Sequence, residues 1–266
     1  MSFRLDGKVA IVSAAAQGIG AASARIMAEF GATVVLADMN EAGAKETAAA
    51  INAAGGKASA RFLDARDEKS VREMIVETHK THGRLDILHN NAGGTYPDRD
   101  GLAADVTQDT WNEIFAWNMD STNWGCRYAI PLMVAGGGGS IINTISCAAD
   151  FAQSIQTAYG AAKGAVASYT RYVAVQYGRK NIRCNGISPG LILTPHAIEK
   201  MPEPVRRELI KHTTTPRLGK PEDIGNLAAF LASDASGYIN GQVITVDGGV
   251  SARFPHDAGM LDVMGN

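Results

Sequence analysis

Short, β-branched apolar runs alternate with longer helical stretches through the whole chain, a pattern met by a parallel sheet with covering helices and by few other architectures. Residues 8–13 and 32–37 read as buried parallel strands bounded by glycine or turn residues. Five more strands are expected around 58–63 and at 85–89, 140–144, 181–187 and 242–246. Between them, 18–30, 41–54, 67–82, 159–177 and 221–231 carry helical composition. One long helix is expected over 110–134, bent or shortened by Pro131. The glycines of 136–139 read as a turn rather than an interdomain linker. The expected fold is α/β: a doubly wound seven-stranded parallel sheet with helices on both faces, one domain over residues 1–266.

A chain of 266 residues is long enough for one large core, and its hydrophobic share of 45% and charged share of 20% are those of an ordinary globular protein. A net charge of −2 gives no electrostatic case for nucleic acid or an anionic membrane. Cys126, Cys147 and Cys184, without C-x-x-C spacing, point to a reducing compartment and no disulfide framework. Cys147 reads first as a small buried hydrophobe and second as a pocket residue beside Ser146. No apolar signal segment or membrane-length run is present, so a cytoplasmic location is expected. His79 and His82, three apart on a charged helix, read as a solvated face, and no metal is expected.

The first strand runs through Ser13 into Gln17-Gly18-Ile19-Gly20 and then a helix. A dinucleotide pyrophosphate needs close backbone approach and a helix N-terminus facing it, and Gly18 and Gly20 suit both demands. Asp38 ends the second strand, where a ribose-binding carboxylate belongs. It can also cap the next turn, though the strand–turn–helix setting favours the ribose role. Further on, Tyr159 and Lys163 share one face of a helix, and Ser146 closes an apolar run. A phenol, an ammonium and a hydroxyl thus meet at the end of a strand, where open α/β sheets bind ligands. That is the outline of a proton-transfer site.

Taken together, these motifs resemble the short-chain dehydrogenase/reductase family across nearly the whole chain. Gly18-Ile19-Gly20, Asn90-Asn91-Ala92-Gly93, Asn118, Ser146, Tyr159-x-x-x-Lys163, Pro189-Gly190, Thr194 and Thr245-Val-Asp-Gly-Gly249 follow in the family's order and spacing. The resemblance implies a Rossmann sheet, a homotetramer, and a catalytic set of Asn118, Ser146, Tyr159 and Lys163. Tyr159 would be the general acid/base and Lys163 its electrostatic partner, pulling the phenol pKa down together with an oxidised nicotinamide. Asn118 would position Lys163 and a relay water, or would satisfy helix backbone. Around the cofactor the resemblance places Ser13, Gln17, Gly18, Ile19, Gly20, Asp38, Met39, Asp64, Ala65, Asn90, Ala92, Gly93, Tyr159, Lys163, Pro189, Ile192 and Thr194. Asp64 would bond the adenine amine or cap a strand end. Asn90 would lie along the cofactor, and Ile192 and Thr194 would hold its carboxamide.

Where the family carries Thr-Gly at the phosphate loop, this chain has Ser13-Ala14, which predicts a slightly different loop path with the Ser hydroxyl bonding within it. Asp38 repels a 2′-phosphate, and Gln17 and Met39 stand where related NADP-users place a base, so NAD is the expected cofactor. By resemblance the substrate pocket draws on Gly94 to Tyr96, on Cys147 to Phe151 (Ala148 included) with Ser146 and Tyr159, and on a lid at 191–215. That lining suits an uncharged secondary alcohol or ketone, cyclic, aromatic or steroid-like. His196 and His212 fall in the lid, and His196 reads as a surface position. The tail at 250–266, with Phe254, Met260, Leu261 and Met264, is expected to cover the site, join an interface or fray. Two rivals stand beside the NAD-dependent reading: an NADPH-dependent carbonyl reductase and a catalytically idle dinucleotide sensor.

Overall fold

A computed structural model describes residues 3–254 together with Gly259 and Val263, so Met260, Leu261 and Met264 lie outside the described residues. The expected strands form as β1 (Val9–Ser13), β2 (Thr33–Asp38), β3 (Lys57–Phe62), β4 (Ile87–Asn90), β5 (Gly139–Thr144), β6 (Ile182–Pro189) and β7 (Val243–Val246). They pair in parallel in the order β3-β2-β1-β4-β5-β6-β7. The order reverses between β1 and β4, which opens a crevice at their C-terminal ends.

Helices α1 (Gly18–Glu29), α2 (Glu41–Ala53) and α9 (Pro221–Ala232) cover one face of this sheet. Helices α3 (Glu68–His82), α5 (Ser121–Ala135) and α6 (Thr157–Tyr177) cover the other. Within β1, Ala10 and Val12 enter the first core and Ile11 the second. Both faces are buried, so every position of the strand is apolar until Ser13. Local signals set the helix ends. The Asp67 side chain accepts from Lys69 N to start α3, and Gly83, left-handed at φ 72°, closes it.

The long helix expected over 110–134 is instead two helices. A π-helical turn at Ala116–Asp120 separates α4 (Gln108–Phe115) from α5. Pro131 does not cause the break. It lies inside α5 on the exposed side, as does Arg127, whose carbonyl has no amide proton of residue 131 to accept. Two short helices, α7 (Pro195–Lys200) and α8 (Glu203–Ile210), bury none of their residues and lie over the C-terminal edge of the sheet.

Candidate active site

Sheet register brings the strand ends level: Val12 is paired with His89, Ser13 with Ala37, Asn90 with Asn143, and Thr144 with Ile187. From this edge the phosphate loop rises into α1. Gln17 stands at the N-cap without a side-chain capping bond, and no acid occupies the first turn, so the positive end of the helix faces the crevice. A Cβ at Gly20 would lie 2.1 Å from the Ala14 carbonyl oxygen, and one at Gly18 would lie 3.2 Å from Thr194 Cγ2. Close approach therefore demands glycine at position 20, and the left-handed φ of 60° favours it at position 18. Ile19 packs against the core beneath them.

Ala14 takes φ 51°, the left-handed conformation that glycine favours, so its methyl does not move it out of that region. Ser13 Oγ bonds outward rather than within the loop: it accepts from Asn91 N at 2.8 Å and Ala92 N at 2.9 Å. The expected intra-loop bond is thus replaced by a staple between β1 and the segment after β4. Asp38 caps the turn, the second of the two roles weighed for it. Its carboxylate accepts from Ala16 N at 2.9 Å and Asn40 N at 2.8 Å, yet it remains part-exposed at the end of β2.

Asn118 lies in the π-helical turn, fully buried. Its Nδ2 donates to Gly94 O and to Ile114 O, both at 2.8 Å, and its Oδ1 accepts from Gly94 N at 3.1 Å. The side chain so takes the carbonyl that its own backbone N–H would bond in an α-helix. A Cβ at Gly93 would lie 2.5 Å from Asn118 Oδ1 and 2.9 Å from Lys163 Nζ. Asn118, Gly93 and Lys163 are hence one packed group.

Tyr159 and Lys163 occupy adjacent turns of α6, and Ser146 lies just past β5. The Lys163 ammonium is buried, donates to Thr144 O at 2.9 Å and sits 5.7 Å from the Tyr159 ring centre. Burial pulls its pKa down to about 8. Burial pushes the Tyr159 phenol up from its ordinary value, against the lowering effect of a hydrogen bond with Ser146. The expectation of a lowered phenol pKa is thus corrected for the protein alone, because desolvation outweighs the Ser146 hydrogen bond. The start of α6 is capped from far away: buried Asp100 accepts from Ala158 N at 2.9 Å and Tyr159 N at 3.0 Å. No local sequence signal marks Asp100, which lies in a loop well before the helix.

A cavity of about 800 Å³ opens onto this group, lined at its inner end by Ser146, Cys147, Ala148, Phe151 and Tyr159. Met201, Leu209, His212 and Leu218 close it from the lid side, and Val250, Arg253 and Phe254 from the tail. Cys147 is a pocket residue after all, half-buried. His196 is exposed, as expected. Asp150 does not line the cavity; Asp247 and Arg253 supply its charged groups, and His212 adds an imidazole.

Several expected residues are engaged by other groups of the protein, while Pro189 lines the cavity and Thr194 stands against Gly18. Tyr96 is not among the cavity residues; it packs on Trp117 at 5.7 Å and under the Arg99 guanidinium. Asn90 points into the core, where Nδ2 donates to Asn143 Oδ1 at 2.9 Å. Asp64 is held by Arg66 through Nε and Nη2, and that pairing keeps its carboxyl below the usual range. Arg66 also donates to Met39 Sδ at 3.4 Å, so a base does stand beside the ribose end of the crevice. Ala65 is buried in the core, Pro189 ends β6, and Ile192 is buried against Gly219. Thr194 caps α7 by accepting from Ala197 N. Among the described residues, no group of three or more metal-ligating side chains occurs, and no helix is long and apolar enough to cross a membrane.

Residues 14–251 match a family model described as enoyl-(acyl carrier protein) reductase. The chain is 40% identical over 252 residues to 7α-hydroxysteroid dehydrogenase of Bacteroides fragilis, covering 95% of this chain and 97% of that protein. It is 38% identical over 254 residues to a short-chain dehydrogenase/reductase of Aspergillus oryzae, covering 94% and 97%. This chain belongs to the short-chain dehydrogenase/reductase family. A solved family structure, 7α-hydroxysteroid dehydrogenase complexed with NADH and 7-oxo glycochenodeoxycholic acid, superposes with a TM-score of 0.88 at 36% identity, over 93% of this chain and 96% of that one. As a short-chain dehydrogenase/reductase, the protein is an oxidoreductase built on a Rossmann sheet.

Proposed function

We propose that the protein transfers a hydride between a secondary alcohol, or its ketone, and NAD, with Tyr159 as general acid/base. The observation that carries this reading is the hydrogen-bonded, part-buried Tyr159–Ser146 pair, facing a roomy cavity and backed by the buried Lys163 ammonium. Ser146 holds the substrate oxygen. Tyr159 takes the hydroxyl proton in the oxidative direction and returns it in the reductive one. Lys163, tethered by Thr144 O, favours the phenolate by Coulomb attraction. Asn118 fixes the Gly93–Gly94 backbone against Lys163. When bound, a nicotinamide coenzyme supplies the hydride acceptor and, oxidised, a further positive charge beside the phenol.

The crevice fits a dinucleotide: Gly18 and Gly20 leave the space a Cβ would fill, and α1 presents an uncapped N-terminus. Asp38 supports NAD by repelling a 2′-phosphate. Arg66, beside Met39, favours the NADPH-dependent reading, but Asp64 already holds it. The apolar side chains that line the cavity, Phe151, Met201, Leu209, Leu218, Val250 and Phe254, suit an uncharged ring system, and the 7α-hydroxysteroid dehydrogenase relatives support a steroid-like one. Exposed Tyr172 and Val175 on α6 support the homotetramer expected from family likeness, which light scattering tests.

The deciding experiment is reduction of NAD⁺, with NADP⁺ in parallel, across neutral secondary alcohols that include hydroxysteroids. Turnover with NAD⁺ that vanishes in Tyr159→Phe, while that variant still binds NADH, is the expected result. Retained turnover in Tyr159→Phe removes the phenol from the mechanism. Faster turnover with NADP⁺ selects the rival reading.

A further inference from the structure

Beneath the crevice, one histidine joins the phosphate loop to the lysine anchor. His89 lies in β4 with no exposed surface, its Nε2 3.0 Å from Thr144 Oγ1. The Thr144 hydroxyl donates to Asn91 Oδ1 at 3.0 Å, which uses its single proton. His89 Nε2 is therefore the donor, and Nδ1 is a bare acceptor, buried without a hydrogen-bond partner. Asn91 carries the link onward: Nδ2 donates to Ser13 O at 3.1 Å and to Ala14 O at 3.4 Å. Ser13 Oγ closes the ring by donating to His89 O at 3.3 Å. Thr144 meanwhile holds Lys163 through its carbonyl.

We propose that His89 is a positioning residue for the coenzyme crevice and the catalytic lysine. Its N–H sets the Thr144 side chain, and through Thr144 and Asn91 it keeps the left-handed Ala14 turn and the Lys163 anchor in register. The proposal rests on the reading of the crevice and of Lys163 given above. Stability alone does not favour an imidazole here, because a buried unpaired nitrogen is costly and leucine would fill much of the space without one. The neighbouring strained turn needs bonds on both sides to persist, and Asn91 supplies one of them.

Two variants test this. His89→Leu removes the donor, and His89→Gln returns an amide N–H near the position of Nε2. Each is compared with the wild type in melting temperature, in NADH dissociation constant by fluorescence (NADPH if the wild type binds that more tightly), and in kcat and KM for the alcohol. The Leu variant is expected to melt no lower than the wild type, to bind coenzyme about tenfold more weakly and to lose about tenfold in kcat, with KM for the alcohol unchanged. The Gln variant recovers most of both losses. The proposal is overturned if the Leu variant keeps wild-type affinity and kcat, if Gln is as impaired as Leu, or if melting temperature and affinity fall together. A wild type that binds neither coenzyme overturns the functional reading and this proposal with it. A wild type that binds and turns over beside an indifferent Leu variant sinks this proposal alone.

Discussion

Ala14 and Lys163 are both held in states that their chemistry resists. A left-handed alanine costs about 1–2 kcal/mol, partly offset in a glycine variant by the greater freedom of the unfolded chain. Ala14→Gly should therefore raise stability by about 1 kcal/mol in thermal denaturation and leave coenzyme preference unchanged, since the Asp38 carboxylate is untouched. Lys163 is costlier: lowering its pKa from 10.5 to about 8 corresponds to about 3 kcal/mol. Below the folded value both states hold the proton and the burial penalty stands in full. Between the two values the unfolded chain binds more protons, so the Lys163 contribution to stability rises with pH, and above 10.5 the penalty is gone. Lys163→Met should thus be inactive but more stable than the wild type at neutral pH. Its advantage should shrink as the pH of a urea titration is raised through that window, and an advantage that grows would contradict the buried ammonium.

The π-helical turn between α4 and α5 is what lets one asparagine serve the loop after β4. An unbroken helix would direct its backbone amides along its own axis, whereas the wider turn leaves the Ile114 carbonyl to Asn118 Nδ2 and aims the rest of the amide at Gly94. Asn118→Ala would strand three backbone groups, the buried Ile114 carbonyl and the part-buried Gly94 N–H and carbonyl. A loss of about 2–4 kcal/mol is expected, with a fall in kcat larger than any change in NADH affinity, because the Gly93–Lys163 packing loosens first. Chemical denaturation and steady-state kinetics on the same preparation check both parts. Equal losses in coenzyme binding and kcat would place Asn118 under the crevice as a whole rather than under Lys163.

Across the molecule, the cavity wall is assembled from segments remote in sequence: the turn after β5, the lid helices and the start of the tail. The lid helices bury no residue of their own, so the part of the wall that α8 provides through Leu209 is weakly anchored. Phe254, which lines the cavity, gives a direct test of the tail. Phe254→Ala should raise KM for a ring-bearing alcohol about threefold to tenfold and leave the NADH dissociation constant unchanged, because the residue touches the substrate cavity and not the phosphate loop. An unchanged KM would remove the tail from substrate binding.

Strand positions, the glycine turn and the Asn118, Ser146, Tyr159, Lys163 set were legible in the amino-acid order, because each depends on local periodicity or on a short spacing that recurs in the family. Apolar runs buried on both faces, as in β1, can hardly be anything but inner strands of a parallel sheet. Side-chain direction at the strand ends was not legible. Asn90 turns inward because Asn143 and α5 lie beside it, and Asp64 is occupied because Arg66 folds back on it. Pro131 looked like the helix breaker, yet the break falls at Asn118, where a backbone carbonyl needs a side-chain partner. The direction of the Tyr159 shift, the capping of α6 by Asp100 and the ring from His89 to Lys163 arise from burial and from contacts between distant segments. Local pattern determines which elements form and which chemistry they carry; desolvation and neighbouring elements, which exist only once the chain is packed, decide where each polar group points and how strongly it holds its proton.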